Sequence, residues 1–358
     1  MSQRSPAPQD RLSVGFALGA AALFGLSAPA GKALLAVTDP WLLAGLLYLG
    51  SGLSLGAYRA ARGLRSRRST REATLSRHDW PWFGAAILTG GVIAPILLMF
   101  GLSRVSAAEA SLMLNVEGVF TAVVAWVVFR EHVNGRIAGG MVAISLGALL
   151  LAWDPGQTVK ISPGALLVAG ACLGWAIDNN LTRKVSASDP LQIASVKGLV
   201  AGAVNVAIAV SLGASLPGFK TVLLAGLLGL VSYGVSLVLF VLALRGLGAG
   251  RTSAYFSTAP FVGAVLGVIV LGESVTLRLG LAAAIMILGV WLHVSERHEH
   301  EHVHEWMEHE HRHEHDAHHR HDHDALAPPG EPHSHRHVHE PLRHRHPHYP
   351  DIHHRHGH

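Results

Sequence analysis

FREHVNGRIAGGMVAISLGALL, residues 129–150, and LGESVTLRLGLAAAIMILGVWL, residues 271–292, are one passage written twice. At a constant offset of 142, Glu131 meets Glu273, Arg136 meets Arg278 and Gly147 meets Gly289. Upstream, Asp39-Pro40 meets Asp189-Pro190 at an offset of 150. The chain therefore reads as two related halves, and each copy is a short charged turn that runs into an apolar segment.

Apolar stretches of about the 20 residues needed to cross a bilayer surround both copies. Ten are read: 12–36, 41–58, 83–102, 107–129, 137–153, 164–182, 191–212, 221–244, 253–271 and 277–294. Half of the 358 residues are apolar and 15% are charged, against about 25% charged in a soluble domain; mean hydropathy is +0.34. The expected fold is an all-α integral membrane protein, and no nucleic-acid partner is expected. Ten spans divide into five per half. Five is odd, so the second half enters the bilayer in the opposite sense, which is the inverted repeat of many secondary transporters. The expected units are an N-terminal segment 1–11, repeats 12–153 and 162–295, and a tail 296–358 without a core of its own.

Basic residues in the loops set the orientation. With the N-terminus cytoplasmic, the inner loops hold 15 Lys and Arg, seven of them Arg between 59 and 77, and the outer loops hold Arg104, Lys160, Lys220 and Arg278. Both termini are expected in the cytoplasm, and the membrane is expected to be the bacterial inner membrane. A secretory signal over 1–30, cut at Ala28-Pro29-Ala30, is set aside because its apolar run exceeds the 7–15 residues of a signal.

Two further stretches carry a family resemblance. SAAEASLMLNVEGVFTAVVAWVVFREHV (106–133) resembles the fourth helix of the EamA-type domain of the drug/metabolite transporter superfamily, and APFVGAVLGVIVLGESVT (259–276) resembles its partner in the second half. The resemblance implies a ten-helix, non-enzymatic transporter that exports a solute by alternating access. It leaves the solute open. Gly118, preceded by Glu117, stands where the second half has Pro260, preceded by an apolar residue.

A charge at the bilayer centre costs about 2.5–3.5 kcal/mol and marks a functional candidate. Lys32, Glu109, Glu117, Asp178 and Lys197 lie within spans. Lys32 and Glu109 share the outer half, Asp178 and Lys197 the inner half, so each pair is expected either to neutralise itself as a packing device or to serve transport. Glu117 sits near the midplane with no basic residue at its depth; Asn115 is two residues away, and Asn179 and Asn180 adjoin Asp178. Glu117, Asn115, Glu109, Lys32, Asp178, Asn179 and Lys197 are the expected transport path. The plainer alternative for Glu117 is a protonated carboxyl hydrogen-bonded to a neighbouring helix. GLSAPAGKA (25–33) fails as a phosphate loop, with five residues between its glycines and Ala33 in place of Ser or Thr. Cys172 reads as a small buried hydrophobe, and His78 and His132 as solvated loop residues.

HEHEHVHEWMEHEHRHEHDAHHRHDHD (298–324) opens the tail, which holds 23 of the 26 His. It is expected to be disordered, with Pro328-Pro329-Gly330 breaking any helix. Imidazole is a borderline ligand for nickel, cobalt, zinc and copper. The expected ligands are His298, His300, His302, His304, His309, His311, His313, His315, His319 and His323. Alternation places four of them on one face of an extended chain, and i,i+4 spacing pairs them on a helix. A pH sensor or a solubilising spacer is the rival role. The reading is an exporter of divalent transition-metal cations, nickel or cobalt first, driven by protons, with the tail concentrating metal at the inner mouth. The alternative is an exporter of small organic metabolites or amino acids with a regulatory or metal-storing tail. No catalytic cofactor is expected, and the number of subunits is open.

Overall fold

The computed structural model describes residues 8–65, 75, 77, 79–129, 135–154, 160–185 and 189–294, and the backbone alone of 299–303, 307–313, 333–339 and 343–347. The first half builds α1 (Pro8–Gly25), α2 (Ser27–Leu35), α3 (Pro40–Arg65), α4 (Trp80–Ala86), a π-helical turn (Ile87–Ile93), α5 (Ala94–Leu102), α6 (Ala107–Met113), α7 (Val116–Phe129) and α8 (Gly135–Ala152). A hairpin of two-residue strands, β1 (Trp153–Asp154) and β2 (Lys160–Ile161), joins the halves. The second half builds α9 (Pro163–Val185), α10 (Pro190–Ser211), α11 (Phe219–Leu228), a second π-turn (Gly229–Val235), α12 (Ser236–Phe256), α13 (Ala259–Leu271) and α14 (Leu277–Val294).

The repeated Asp-Pro pairs start α3 and α10. Asp39 Oδ1 accepts the Trp41 N–H at 2.9 Å and Asp189 Oδ1 accepts the Leu191 N–H at 2.9 Å. Proline follows at a position where no N–H is needed, so each pair is a helix start by composition. The two π-turns begin at Ile87 and Gly229, again 142 residues apart.

Packing repeats the same exchange. α3 packs on its counterpart α10, and α8 on its counterpart α14. α1 against α12 is answered by α9 against α5, and α1 against α13 by α9 against α7. Each half therefore seats its first helices against the third and fourth spans of the other half. The aligned glycines of the repeat lie at one of these crossings. A Cβ on Gly147 would come within 2.6 Å of Met286 Cγ, and one on Gly289 within 2.8 Å of the Gly140 carbonyl. In lipid, close backbone approach of this kind replaces the hydrophobic drive.

Among the described residues, seven helices are long and apolar enough to cross a membrane: Leu12–Leu35, Pro40–Arg62, Trp80–Leu102, Ala107–Val128, Gly135–Ala152, Leu191–Ser211 and Phe219–Ala243. The expected spans at 164–182, 253–271 and 277–294 fall short by that measure. α9 carries Asp178, Asn179 and Asn180. The ninth is interrupted by a turn at Ser257–Thr258, which leaves α13 at 13 residues. The last has an apolar run from Leu277 to Leu292.

In the tail, expected to be disordered throughout, four backbone segments pair antiparallel: Glu299–Val303 with Arg343–Pro347, and Met307–His313 with His333–His339. A period of two between His and charged residues suits a strand, and the register sets Glu301 opposite Arg345 and Glu310 opposite Arg336.

Candidate functional site

The helix of the fourth span is broken. α6 ends at Met113, Leu114 and Asn115 form a turn, and α7 begins at Val116. Glu117 thus sits in the first turn of α7, where the positive end of the helix dipole favours a carboxylate. Its Oε1 accepts from Asn179 Nδ2 of α9 at 2.8 Å. Glu117 is partly exposed and Asn179 exposed. Cys172, two turns earlier on α9, is buried and donates to the Met113 carbonyl at 3.7 Å, just before the break.

Asp178 is buried and makes an ion pair with Lys197 of α10; Thr182 Oγ1 donates to its other oxygen at 3.0 Å. The expected inner-half pair is therefore present. It is seated on the first π-turn: a Cβ on Gly90 would overlap the Asp178 carboxylate, and one on Gly91 would lie 2.7 Å from Ala201 Cβ and 3.7 Å from Lys197 Cγ. The Gly90 carbonyl accepts from Tyr48 Oη at 2.8 Å and Trp175 Nε1 at 3.0 Å, and the Gly91 carbonyl accepts from Asn205 Nδ2 at 3.2 Å. α3, α9, α10 and the π-turn converge here, and Tyr48 continues into aromatic contacts with Tyr233 and, through it, Phe24.

The expected outer-half pair, Lys32 with Glu109, is corrected. Lys32 Nζ donates to the carbonyls of Leu102 at 2.6 Å and Val105 at 2.8 Å. Glu109 instead takes Arg278 Nη2 of the other half at 2.6 Å. The carbonyls at the end of α5 are unsatisfied acceptors at the height of Lys32, and the planar guanidinium fits a carboxylate. Asn115 Nδ2 donates back to the Leu112 carbonyl at 2.9 Å, within its own helix break.

Sequence reading did not single out Tyr48, Trp175, Gly90 or Arg278 as site residues. Tyr and Trp inside a span were a usable signal, because each has a polar tip that seeks a partner when buried. Of the expected metal ligands, His298, His304, His315, His319 and His323 lie outside the described residues. For His300, His302, His309, His311 and His313 only the backbone is described; the register sets them opposite His346, His344, His337, His335 and His333. Among the described residues, no three His, Cys, Asp or Glu side chains group where they could hold a metal ion.

The two sides of the pseudo-symmetric core are unequal. The offsets of 150 and 142 carry Asp178 back to Ala28 and Glu117 forward to Ala259. Around those positions is only a narrow crevice lined by Phe24, Gly25, Ser27, Ala28, Ser111, Leu114, Ala259 and Pro260. There a Cβ on Gly25 would lie 2.7 Å from the Ala259 carbonyl. One side is polar, and the other is closed by small residues.

The family profile of the EamA-like transporters matches twice, over residues 11–153 and 162–295. The chain belongs to the EamA-like transporter family. An uncharacterized transporter of Methanothermobacter thermautotrophicus is 30% identical over 284 residues, spanning 75% of this chain and 82% of that protein. The uncharacterized transporter YyaM of Bacillus subtilis is 25% identical over 206 residues, spanning 54% of this chain and 66% of that protein. A solved crystal structure shares the fold, with a TM-score of 0.57 at 19% identity, covering 78% of this chain and 94% of the other. As an EamA-like transporter, the chain is a membrane protein that moves a solute across the bilayer.

Proposed function

We propose that this EamA-like protein exports a small cation from the cytoplasm by alternating access, driven by protons, and that ten segments cross the inner membrane as two inverted five-helix repeats with both termini cytoplasmic. The exchange of packing partners between halves supports the inverted arrangement. The observation that carries the site is Glu117: a partly exposed carboxylate at a helix break, held by one neutral amide, on the polar side of an otherwise small-residue core. It binds the cation when ionised and releases it when protonated. Asn179 orients the carboxylate, and the Asp178–Lys197 pair keeps the neighbouring charge balanced.

A divalent transition metal, nickel or cobalt first and then zinc or copper, is the cargo favoured by the tail. Its register sets histidines opposite one another, and opposite residues in a ladder lie about 4.5–5.5 Å apart at Cβ, close enough for two imidazoles to share an ion. The tail collects; the core moves. A second reading has its own support: the path offers oxygen and aromatic groups and no three-ligand metal cluster among the described residues, which suits a small organic solute.

Cellular accumulation of nickel, cobalt, zinc and copper separates the readings. The wild type is expected to lower nickel or cobalt content and Glu117→Gln to abolish the effect while still reaching the membrane. Unchanged content of all four metals on expression would leave the organic-solute reading; an active Gln variant would remove Glu117 from either.

A further inference from the structure

The four backbone segments of the tail form two nested ladders. The outer one joins Glu299–Val303 to Arg343–Pro347, and the inner one joins Met307–His313 to His333–His339. Three residues on each strand, 304–306 and 340–342, separate them, so one register runs through both. Successive residues of a strand belong to opposite faces, and this register sorts the residue types by face. In the inner ladder His309, His311 and His313 share a face and stand opposite His337, His335 and His333. In the outer ladder His300 and His302 stand opposite His346 and His344. The charges occupy the alternate positions. The two outgoing strands carry Glu299, Glu301, Glu308 and Glu310 with one arginine, whereas the two returning strands carry Arg336, Arg343 and Arg345 and no acid. The same division runs through the arms as a whole: 298–324 has nine acids and two arginines, and 333–358 has four arginines and two acids. A loose chelator needs its histidines in no particular order. An acidic arm and a basic arm, each with histidine at every second place, is the pattern of two strands made for one another.

We infer that the tail is a metal-closed hairpin, in which each ladder holds one late first-row divalent cation between two consecutive histidine rungs, so that each site takes two imidazoles from each arm and neither arm makes a site alone. Opposite residues lie about 4.5–5.5 Å apart at Cβ, and successive residues of one face about 7 Å apart along the strand. Four imidazoles on such a rectangle can reach one ion at the roughly 2.0–2.1 Å of a zinc–imidazole bond, and nickel and copper accept the same ligand. The outer ladder has two histidine rungs and the inner ladder three, which gives one complete four-histidine site in each. The ion supplies stability that a two-stranded ribbon lacks in water. The opposite face sets the register, with Glu301 opposite Arg345 and Glu310 opposite Arg336, and so decides which histidines meet. The hairpin rests on the reading that the tail binds a transition metal, and it is independent of what the core carries.

The test is nickel binding by the purified full-length protein in detergent, measured by equilibrium dialysis against nickel chloride. About two tightly held ions per chain are expected, one for each four-histidine site. Replacing His333, His335, His337, His344 and His346 with Ala leaves every histidine of the outgoing arm in place, yet should weaken binding about a hundredfold or more. Replacing five histidines that belong to neither ladder, His318, His321, His348, His353 and His354, should leave the tight ions bound. Arg336 gives a second measurement, because it occupies the face without histidines. Arg336→Glu makes the tail more acidic, so attraction by charge alone would tighten nickel binding. A like charge opposite Glu310 should instead weaken it roughly two- to fivefold, and adding Glu310→Arg should restore the wild-type value. Tight binding by the variant of the returning arm, equal losses in the two five-alanine variants, or unchanged or tighter binding by Arg336→Glu would each overturn the hairpin while leaving the tail a metal binder. Nickel binding no stronger in the full chain than in the chain ended at Ser295 would overturn both.

Discussion

Asn179 is the residue that decides how Glu117 presents itself. A hydrogen bond to a charged group contributes about 1.5–3 kcal/mol, which converts to roughly ten- to hundredfold in affinity. Asn179→Ala is expected to weaken solute affinity by about that factor while leaving membrane insertion unchanged, measured as the concentration for half-maximal efflux. An unaltered half-maximal concentration would mean that Asn179 only packs. Asp178 and Lys197 are a different case. Breaking a buried pair by removing one partner costs about 3–5 kcal/mol, whereas replacing both can be neutral. Lys197→Met alone should lower thermal stability in detergent sharply, and Asp178→Asn with Lys197→Met should recover it. If the double variant is stable and still transports, the pair is a packing device; stable but inactive, it belongs to the path.

At the scale of the element, the helices owe their positions to breaks and close crossings more than to periodicity. The turn at Leu114–Asn115 places Glu117 in the first turn of α7, and the π-turn at Ile87–Ile93 offers its glycine carbonyls to Tyr48, Trp175 and Asn205. Irregular backbone at membrane depth is tolerated where it is buried in protein or lines a cavity, and π-bulges recur at functional sites. Gly52 and Gly198, where α3 crosses α10, would each place a Cβ within 2.8 Å of backbone atoms of the other helix. Overpacking costs about 1–3 kcal/mol, and here backbone would have to move. Gly198→Val is expected to lower the melting midpoint in detergent and reduce the amount of protein in the membrane; wild-type stability would show that the crossing is looser than the structure has it.

The whole molecule is held by exchange between halves. Because α1 packs on α12 and α13, and α9 on α5 and α7, neither half completes its own packing. Residues 1–154 and 155–358 expressed separately should each be degraded and inactive, and their co-expression should restore measurable efflux; an active single half would contradict the exchange. The tail stands apart. Truncation after Ser295 should remove most metal binding by the purified protein and weaken nickel or cobalt efflux without abolishing it, because the proposed path through Glu117 lies in the core. Complete loss of efflux would make the tail part of the path.

The two-half organisation was written in the sequence, because an offset of 142 repeats charges, glycines and helix starts that need no partner to be recognised. The polar centre was partly visible too: Glu117 and Asp178 stand out because isolated charges are costly in lipid. The pairing was only half legible. Asp178–Lys197 could be guessed from depth, since both residues lie in neighbouring helices. Glu109–Arg278 could not, because 169 residues separate them and depth alone offered Lys32 as well. Length and composition determined membrane insertion and the repeat, which are properties of each segment by itself. Which carboxylate meets which cation was decided only by the tertiary structure, because that depends on how helices from opposite halves pack against one another.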